Sequence, residues 1–318
     1  MTTLLMLLGG GDVAPPLTVP ANTVAPTISG DTDITGDLTA TSDGTWTGNP
    51  APELARNWQR DGSDISGQTS TTFAKTVADT KVSGNTLLRL RVRGTNSEGN
   101  SDAYSDPITI PPMARPSVID VKTNTSSGAS FTMVNSSGDL LIAGLWRNPN
   151  VEYGSSTVPT HGGVNYTQQG AFRVGYQNGK LYTGFAAGAN EAHAPGAPAG
   201  VGNIVAVMRG VRTDVAFVAD DAEGTGATAS LPGLSFTGPR EIVLFLWAET
   251  AAAITPPTGF EVITDADPTG ANYTQGGIRR FCMWRSTTLV TSFSGATASL
   301  GSSVAWGGVA LAYAGELQ

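Results

Sequence analysis

The chain has 318 residues, of which 40 are glycine and 19 proline, while only 14% are charged. At about 100–200 residues per domain this length predicts two domains or three, and the composition excludes a long-helix protein. A net charge of −8 opposes binding to polyanions, which excludes nucleic acid as a main partner.

Hydrophobic residues reach 40%, enough to build packed cores. The single cysteine, Cys282, can make neither an intramolecular disulfide nor a thiolate metal cluster. No apolar run approaches the about 20 residues of a membrane-crossing helix, so no membrane insertion is expected.

Residues 1–22 read as an N-terminal peptide and Gly/Pro linker. Leu4, Leu5, Met6, Leu7 and Leu8 form a short apolar stretch with no basic residue before it, which does not make a signal peptide. Three glycines and then Pro15, Pro16 and Pro20 follow, a composition that favours extended connection. The five apolar residues are expected to act as an assembly anchor, buried against a partner or against copies of themselves, the alternative being a frayed terminus.

Residues 23–112 show short β runs broken by turn residues, the spacing of an antiparallel sandwich. In Leu88 to Arg93 apolar and basic residues alternate strictly, which puts Leu88, Leu90 and Val92 on a core face and Arg89, Arg91 and Arg93 on a solvated one. Trp58 falls where an inner strand needs a large core residue, and Asp61 with Gly62 supplies a tight hairpin turn.

The order of these features resembles the bacterial and phage immunoglobulin-like repeat: Val24 to Gly30, Gly44 to Gly48 around Trp46, Trp58 to Gly62, Ile65 to Gly67, and Val92 to Gly99. The resemblance implies an immunoglobulin-like sandwich whose tryptophan packs without a disulfide.

Residues 113–117, between Pro112 and a second β-rich region, read as a linker. Residues 118–318 carry near-continuous apolar runs at Leu140 to Trp146, Ile204 to Met208, Ile242 to Trp247, Phe281 to Trp284 and Val309 to Tyr313. Such runs suit strands covered on both faces, or strands at a subunit interface. Trp146, Trp247 and Trp284 are assigned to the core.

This region reads as an internal duplication, with halves at about 118–222 and 223–318. Leu140 to Trp146 parallels Ile242 to Trp247, and Ile204 to Met208 parallels Val309 to Tyr313. Asn165 to Gln168 with Arg173 parallels Asn272 to Gln275 with Arg280. A single jelly-roll-like sandwich is expected over two small ones, because neither half would bury a core alone. The expected fold class is thus all-β, an immunoglobulin-like sandwich followed by a jelly-roll-like one.

The second half is also similar to phage fibre and virion-surface proteins. Ile254 to Phe260, Arg280 to Arg285, Phe293 to Ser299 and Ala305 to Gly315 carry this likeness, with Phe260 in place of the usual tryptophan.

Chemistry-bearing residues are few. His161 and His193 lie in Gly/Pro-rich segments without a nucleophile elbow, and read as exposed polar residues; no catalytic residue is expected. Asp220, Asp221 and Glu223, and Asp265 with Asp267, admit calcium or acid/base readings, but solvated loops explain them more simply. No metal and no cofactor is expected. Tyr153, Tyr166 and Tyr182 lie beside Asn150, Asn165, Asn178 and Asn190, and Tyr153, Tyr166, Tyr182 and Asn165 are the candidate glycan contacts.

The resemblances imply a non-enzymatic structural component of a bacteriophage or phage-like particle: a tail fibre, spike or head decoration that attaches to host-surface glycan. The expected partners are other virion proteins through the N-terminal peptide, host glycan, and further copies of the chain, with a trimer favoured. The expected location is the virion surface, after synthesis in the bacterial cytoplasm. The alternatives are a secreted carbohydrate-binding or adhesin module and a polysaccharide depolymerase.

Overall fold

The computed structural model describes residues 15–124, 130–147, 158–174, 177–194, 201–250, 252–266 and 280–318. Among them the protein is all-β, its one helical element being a single 3₁₀ turn at Val77–Asp79. Two compact units emerge: Met1–Lys75 with Thr86–Ile110, and Thr76–Asn85 with Pro111–Gln318.

The first unit contains β1 (Thr18–Val24), β2 (Thr27–Ser29), β3 (Asp37–Ser42), β4 (Thr45–Asn49), β5 (Glu53–Arg60), β6 (Ser63–Asp64), β7 (Thr72–Ala74), β8 (Thr86–Asn96), β9 (Gly99–Tyr104) and β10 (Ile108–Ile110). They form a β1–β4 ribbon, a β2-β3-β7 sheet, and a five-stranded sheet in which β8 pairs with β5 on one side and with β10 and β9 on the other.

The alternation in β8 has the expected outcome. Leu88, Leu90 and Val92 are fully buried, while Arg91 and Arg93 pair with Asp64 and Asp102 at 2.8 and 2.7 Å, and Arg89 lies over the Tyr104 ring. Trp58 is also fully buried, stacks on Phe73 of β7, and donates its Nε1 hydrogen to the Ser70 carbonyl at 2.9 Å. Asp61 and Gly62 take positive φ values of 50° and 84°, which suit the two-residue turn between β5 and β6.

Two expected connectors are structured. Residues 18–22 belong to strand β1, because a ribbon edge tolerates Pro20 and its missing N–H; the β1–β4 register shifts on either side of Ala21 and Asn22. In the 113–117 linker Met113 is buried and bridges Leu317, and the Ala114 N–H donates to the Glu316 carbonyl at 2.7 Å. The C-terminal residues supply pairing partners that local composition does not reveal.

The second unit contains β11 (Ser117–Asn124), β12 (Phe131–Thr132), β13 (Leu140–Arg147), β14 (Thr160–His161), β15 (Val164–Asn165), β16 (Thr167–Val174), β17 (Gln177–Phe185), β18 (Ala192–Ala194), β19 (Val201–Arg209), β20 (Val218–Leu231), β21 (Glu241–Ala248), β22 (Phe260–Ala266), β23 (Arg280–Ser286) and β24 (Ala296–Tyr313). Two five-stranded sheets, ordered β11-β19-β13-β17-β16 and β20-β24-β21-β23-β22, are each drawn from one half of the region. Counting only its own five strands in chain order, each sheet runs first, fifth, second, fourth, third.

The registers repeat as well. Ile142 lies between Ala206 and Thr183, and Val243 between Leu311 and Arg285. Each third strand carries a register shift at the corresponding place, between Gln168 and Gly170 in β16 and between Val262 and Thr264 in β22. Leu140 to Trp146 therefore corresponds to Glu241 to Trp247, and Ile204 to Met208 to Val309 to Tyr313. Two expectations change. The second half starts at β20, before residue 223, and Arg173 sits in a third strand whereas Arg280 opens a fourth. A short sequence match carries no pairing information, which is set by register and neighbours. Asn272 to Gln275 lies outside the described residues.

The two sheets share one core, in which Ile142, Leu181, Ile204 and Met208 meet Phe245, Met283, Val309 and Tyr313. Gly144 faces Phe245, and a Cβ there would come within 2.5 Å of the ring. The outer faces are covered too. A small sheet, β12-β18-β14-β15, and its flanks cover one, where Leu141, Leu145, Tyr182 and Val207 cluster with Met133 and Tyr166. The far ends of β20 and β24 cover the other, bringing Leu231 and Leu300 onto Leu244, Leu246 and Trp284. Every residue of β21 is consequently buried. The apolar runs are explained by cover on both faces within one chain.

Candidate functional site

The outer face of the second sheet is left partly open at one corner. Gly259, with φ of 85°, closes the turn that leads into β22. Its carbonyl accepts from both the N–H and the Oγ1 of Thr287, at 2.8 and 3.1 Å, which ties the turn to the end of β23. Phe260 follows that glycine and meets Phe293 edge-on, with ring centroids 5.9 Å apart. Phe293 is held through its carbonyl by the Leu234 N–H at 2.8 Å.

Between these elements lies a cleft of about 420 Å³, floored by Ile242 and Ser286 and flanked by Phe260, Val290 and Phe293. Thr258, Thr288 and Thr297 stand exposed on its rim. None of the described residues lining it is ionisable. A half-buried aromatic pair with a hydroxyl rim can hold a ligand that has both apolar faces and hydrogen-bonding edges.

A charge cluster adjoins the cleft at Ser286. Glu241, fully buried, accepts from Arg115 Nε at 2.8 Å and from the Tyr313 hydroxyl at 2.8 Å, with Arg285 at 3.4 Å. Glu261 receives Arg115 and Arg285 at 2.7 and 2.8 Å. Arg115 also donates to the Ser286 carbonyl. Burial pushes the Glu241 carboxyl above its ordinary value, against the opposing pull of Tyr313 and the two arginines. With two cations and two anions in mutual contact, this is a clasp that fixes residues 115–116 to the sheet.

Both histidines depart from expectation, being 1% and 0% exposed. They belong to the small covering sheet, where His161 Nδ1 meets Glu191 Oε2 at 2.8 Å and His193 Nδ1 meets the Tyr166 hydroxyl at 2.9 Å. Gly184 lacks a side chain where the His161 ring sits. Burial, with His161 nearby, lowers His193 to about 4. Burial alone would raise Glu191, but His161 and the N–H groups of Gly188 and Ala187 outweigh it and hold the carboxyl below its usual range. The cluster has the form of a packed polar core under a short-stranded flap.

The candidate glycan contacts do not converge. Tyr166 and Tyr182 are 3% and 2% exposed, so neither ring presents a face to a sugar; burial raises both hydroxyls, Tyr182 to about 12. Both pack in the cluster between the first large sheet and the small sheet that covers it, a burial that sequence spacing alone did not reveal. Asn165 is exposed, apart from the cleft. Tyr153, Asn150, Asp267 and the proposed anchor Leu4 to Leu8 lie outside the described residues.

Asp221 and Glu223 accept from the backbone N–H groups of Ala171 and Arg173 on β16, which satisfies an edge strand. Trp247 and Trp284 lie in the core as assigned. Pro257 to Phe260 and Phe293 to Thr297 of the cleft fall within the fibre-like motifs, whereas Ile242 and Ser286 to Val290 do not; the visible signal was a large aromatic directly after a turn glycine. No protein-family model and no curated protein sequence matches this chain.

Proposed function

We propose that this protein is a non-enzymatic structural component of a bacteriophage or phage-like particle, a tail fibre, spike or head-decoration subunit that contributes to attachment on host-surface glycan. The observation that carries the attachment part is the uncharged, hydroxyl-rimmed cleft at Phe260 and Phe293. It is formed by Ile254 to Phe260, Ser286 to Val290 and Phe293 to Thr297, largely the segments that resemble virion-surface proteins. The pairing of β2-β3-β7 and of β5-β8-β9 supports the immunoglobulin-like reading of the first unit, since it matches the order of that fold. In this reading the N-terminal peptide joins the chain to other virion proteins and the subunits form a trimer.

Electron cryo-microscopy of the native particle tests it. The expected result is density for residues 117–318 at the particle surface, with Leu4 to Leu8 against a capsid or tail subunit. A chain found solely as a free monomer overturns the particle reading. The same cleft then favours a surface carbohydrate-binding module.

A further inference from the structure

The duplication shows what the corner that forms the cleft holds elsewhere in the same molecule. Through the matched registers, Ile242, Phe260 and Ser286 of the second half stand where Leu141, Tyr166 and Gly184 stand in the first. In the first half that corner is filled by this chain: the His161 imidazole lies over Gly184 and edge-on to Tyr166, with centroids 4.7 Å apart. In the second half the aromatic partner of Phe260 is Phe293, edge-on at 5.9 Å, and the cleft opens beside that pair, over Ile242 and Ser286.

We infer that the cleft at Phe260 and Phe293 takes one neutral sugar ring, seated against the aromatic pair and under the threonine rim. This rests on reading the cleft as the attachment site and deepens it by naming the ligand class. Three observations converge. The duplicate corner is closed by a ring seated beside an aromatic side chain. The rim offers Thr258, Thr288 and Thr297, groups that both donate and accept, as sugar hydroxyls require. No described lining residue carries charge, so the carboxylate of an acidic sugar would lose water without gaining a counter-charge, on a chain whose net charge is already −8.

The test is saturation-transfer NMR on the full chain with methyl glycosides of glucose, galactose, mannose and N-acetylglucosamine, set against methyl glucuronide and methyl sialoside. Transfer is expected to at least one neutral glycoside and to be about tenfold weaker for both acids. Thr288→Trp places a large side chain at the exposed rim and is expected to abolish transfer while the melting temperature stays unchanged. A Thr297→Trp variant, on another exposed part of the rim, repeats the test if Thr288→Trp melts early. Transfer confined to acidic sugars, absent from all glycosides, or unchanged in a folded plugged variant overturns the inference. Neutral-sugar transfer from a chain found on no particle leaves the inference standing and removes the particle reading. A chain located on the virion without neutral-sugar transfer does the reverse.

Discussion

His193 shows how burial changes the meaning of a residue. In the unfolded chain its imidazole takes up a proton near 6.5, but in the folded protein only near 4, because the site is buried and His161 lies close. Stability from the neutral ring is therefore full above pH 6.5 and lost as the pH falls toward 4, and the depressed Glu191 carboxyl adds loss in the same direction. The expected loss from His193 is about 3 kcal/mol, read from denaturant unfolding at successive pH values. His193→Phe should flatten the profile between pH 6.5 and 4.5, and an unchanged slope would remove the assignment. At Gly144 the constraint is space: Gly144→Leu forces a side chain into the Phe245 ring and should cost about 1–3 kcal/mol in the same measurement.

Among the elements, the short segment at Arg115 contributes more than its length suggests. It joins the buried Glu241 to the exposed edge at Glu261, and Arg285 duplicates part of its role. Arg115→Ala should lower stability by about 1–3 kcal/mol, less than leaving a buried charge wholly unpaired would cost, because Arg285 and Tyr313 still face Glu241. Calorimetry on the intact chain checks this, and an unaltered melting profile would reduce the clasp to a surface pair. The strands β13 and β21 were visible as apolar runs, and Trp247 as core. What covered them was not, since the small sheet over β13 and the paired ends of β20 and β24 over β21 are brought there by segments distant in the chain.

For the whole molecule, the apolar strands no longer argue for assembly. Their surfaces are taken up between the two large sheets, beneath the small sheet, and under the ends of β20 and β24. The proposed trimer is then assigned to the apolar N-terminal peptide. Deleting residues 2–11 is expected to convert an assembled species to monomer in sedimentation at micromolar concentration, with melting unchanged. Retention of the assembled mass would place the interface elsewhere.

By itself the sequence determined the all-β class, the inward face of β8, the Asp61–Gly62 turn and the equivalence of Leu140 to Trp146 and Ile242 to Trp247 as repeated strands. These follow from local periodicity, turn chemistry and repetition, which neighbouring residues encode directly. The tertiary structure decided the rest: that Tyr166, Tyr182 and both histidines are buried, that residues 112–114 pair with the C-terminal residues, and that Phe260 and Phe293 meet across a cleft. Each of these depends on contacts between residues far apart in the chain, and whether a polar or aromatic side chain faces water is set by what a distant segment lays over it.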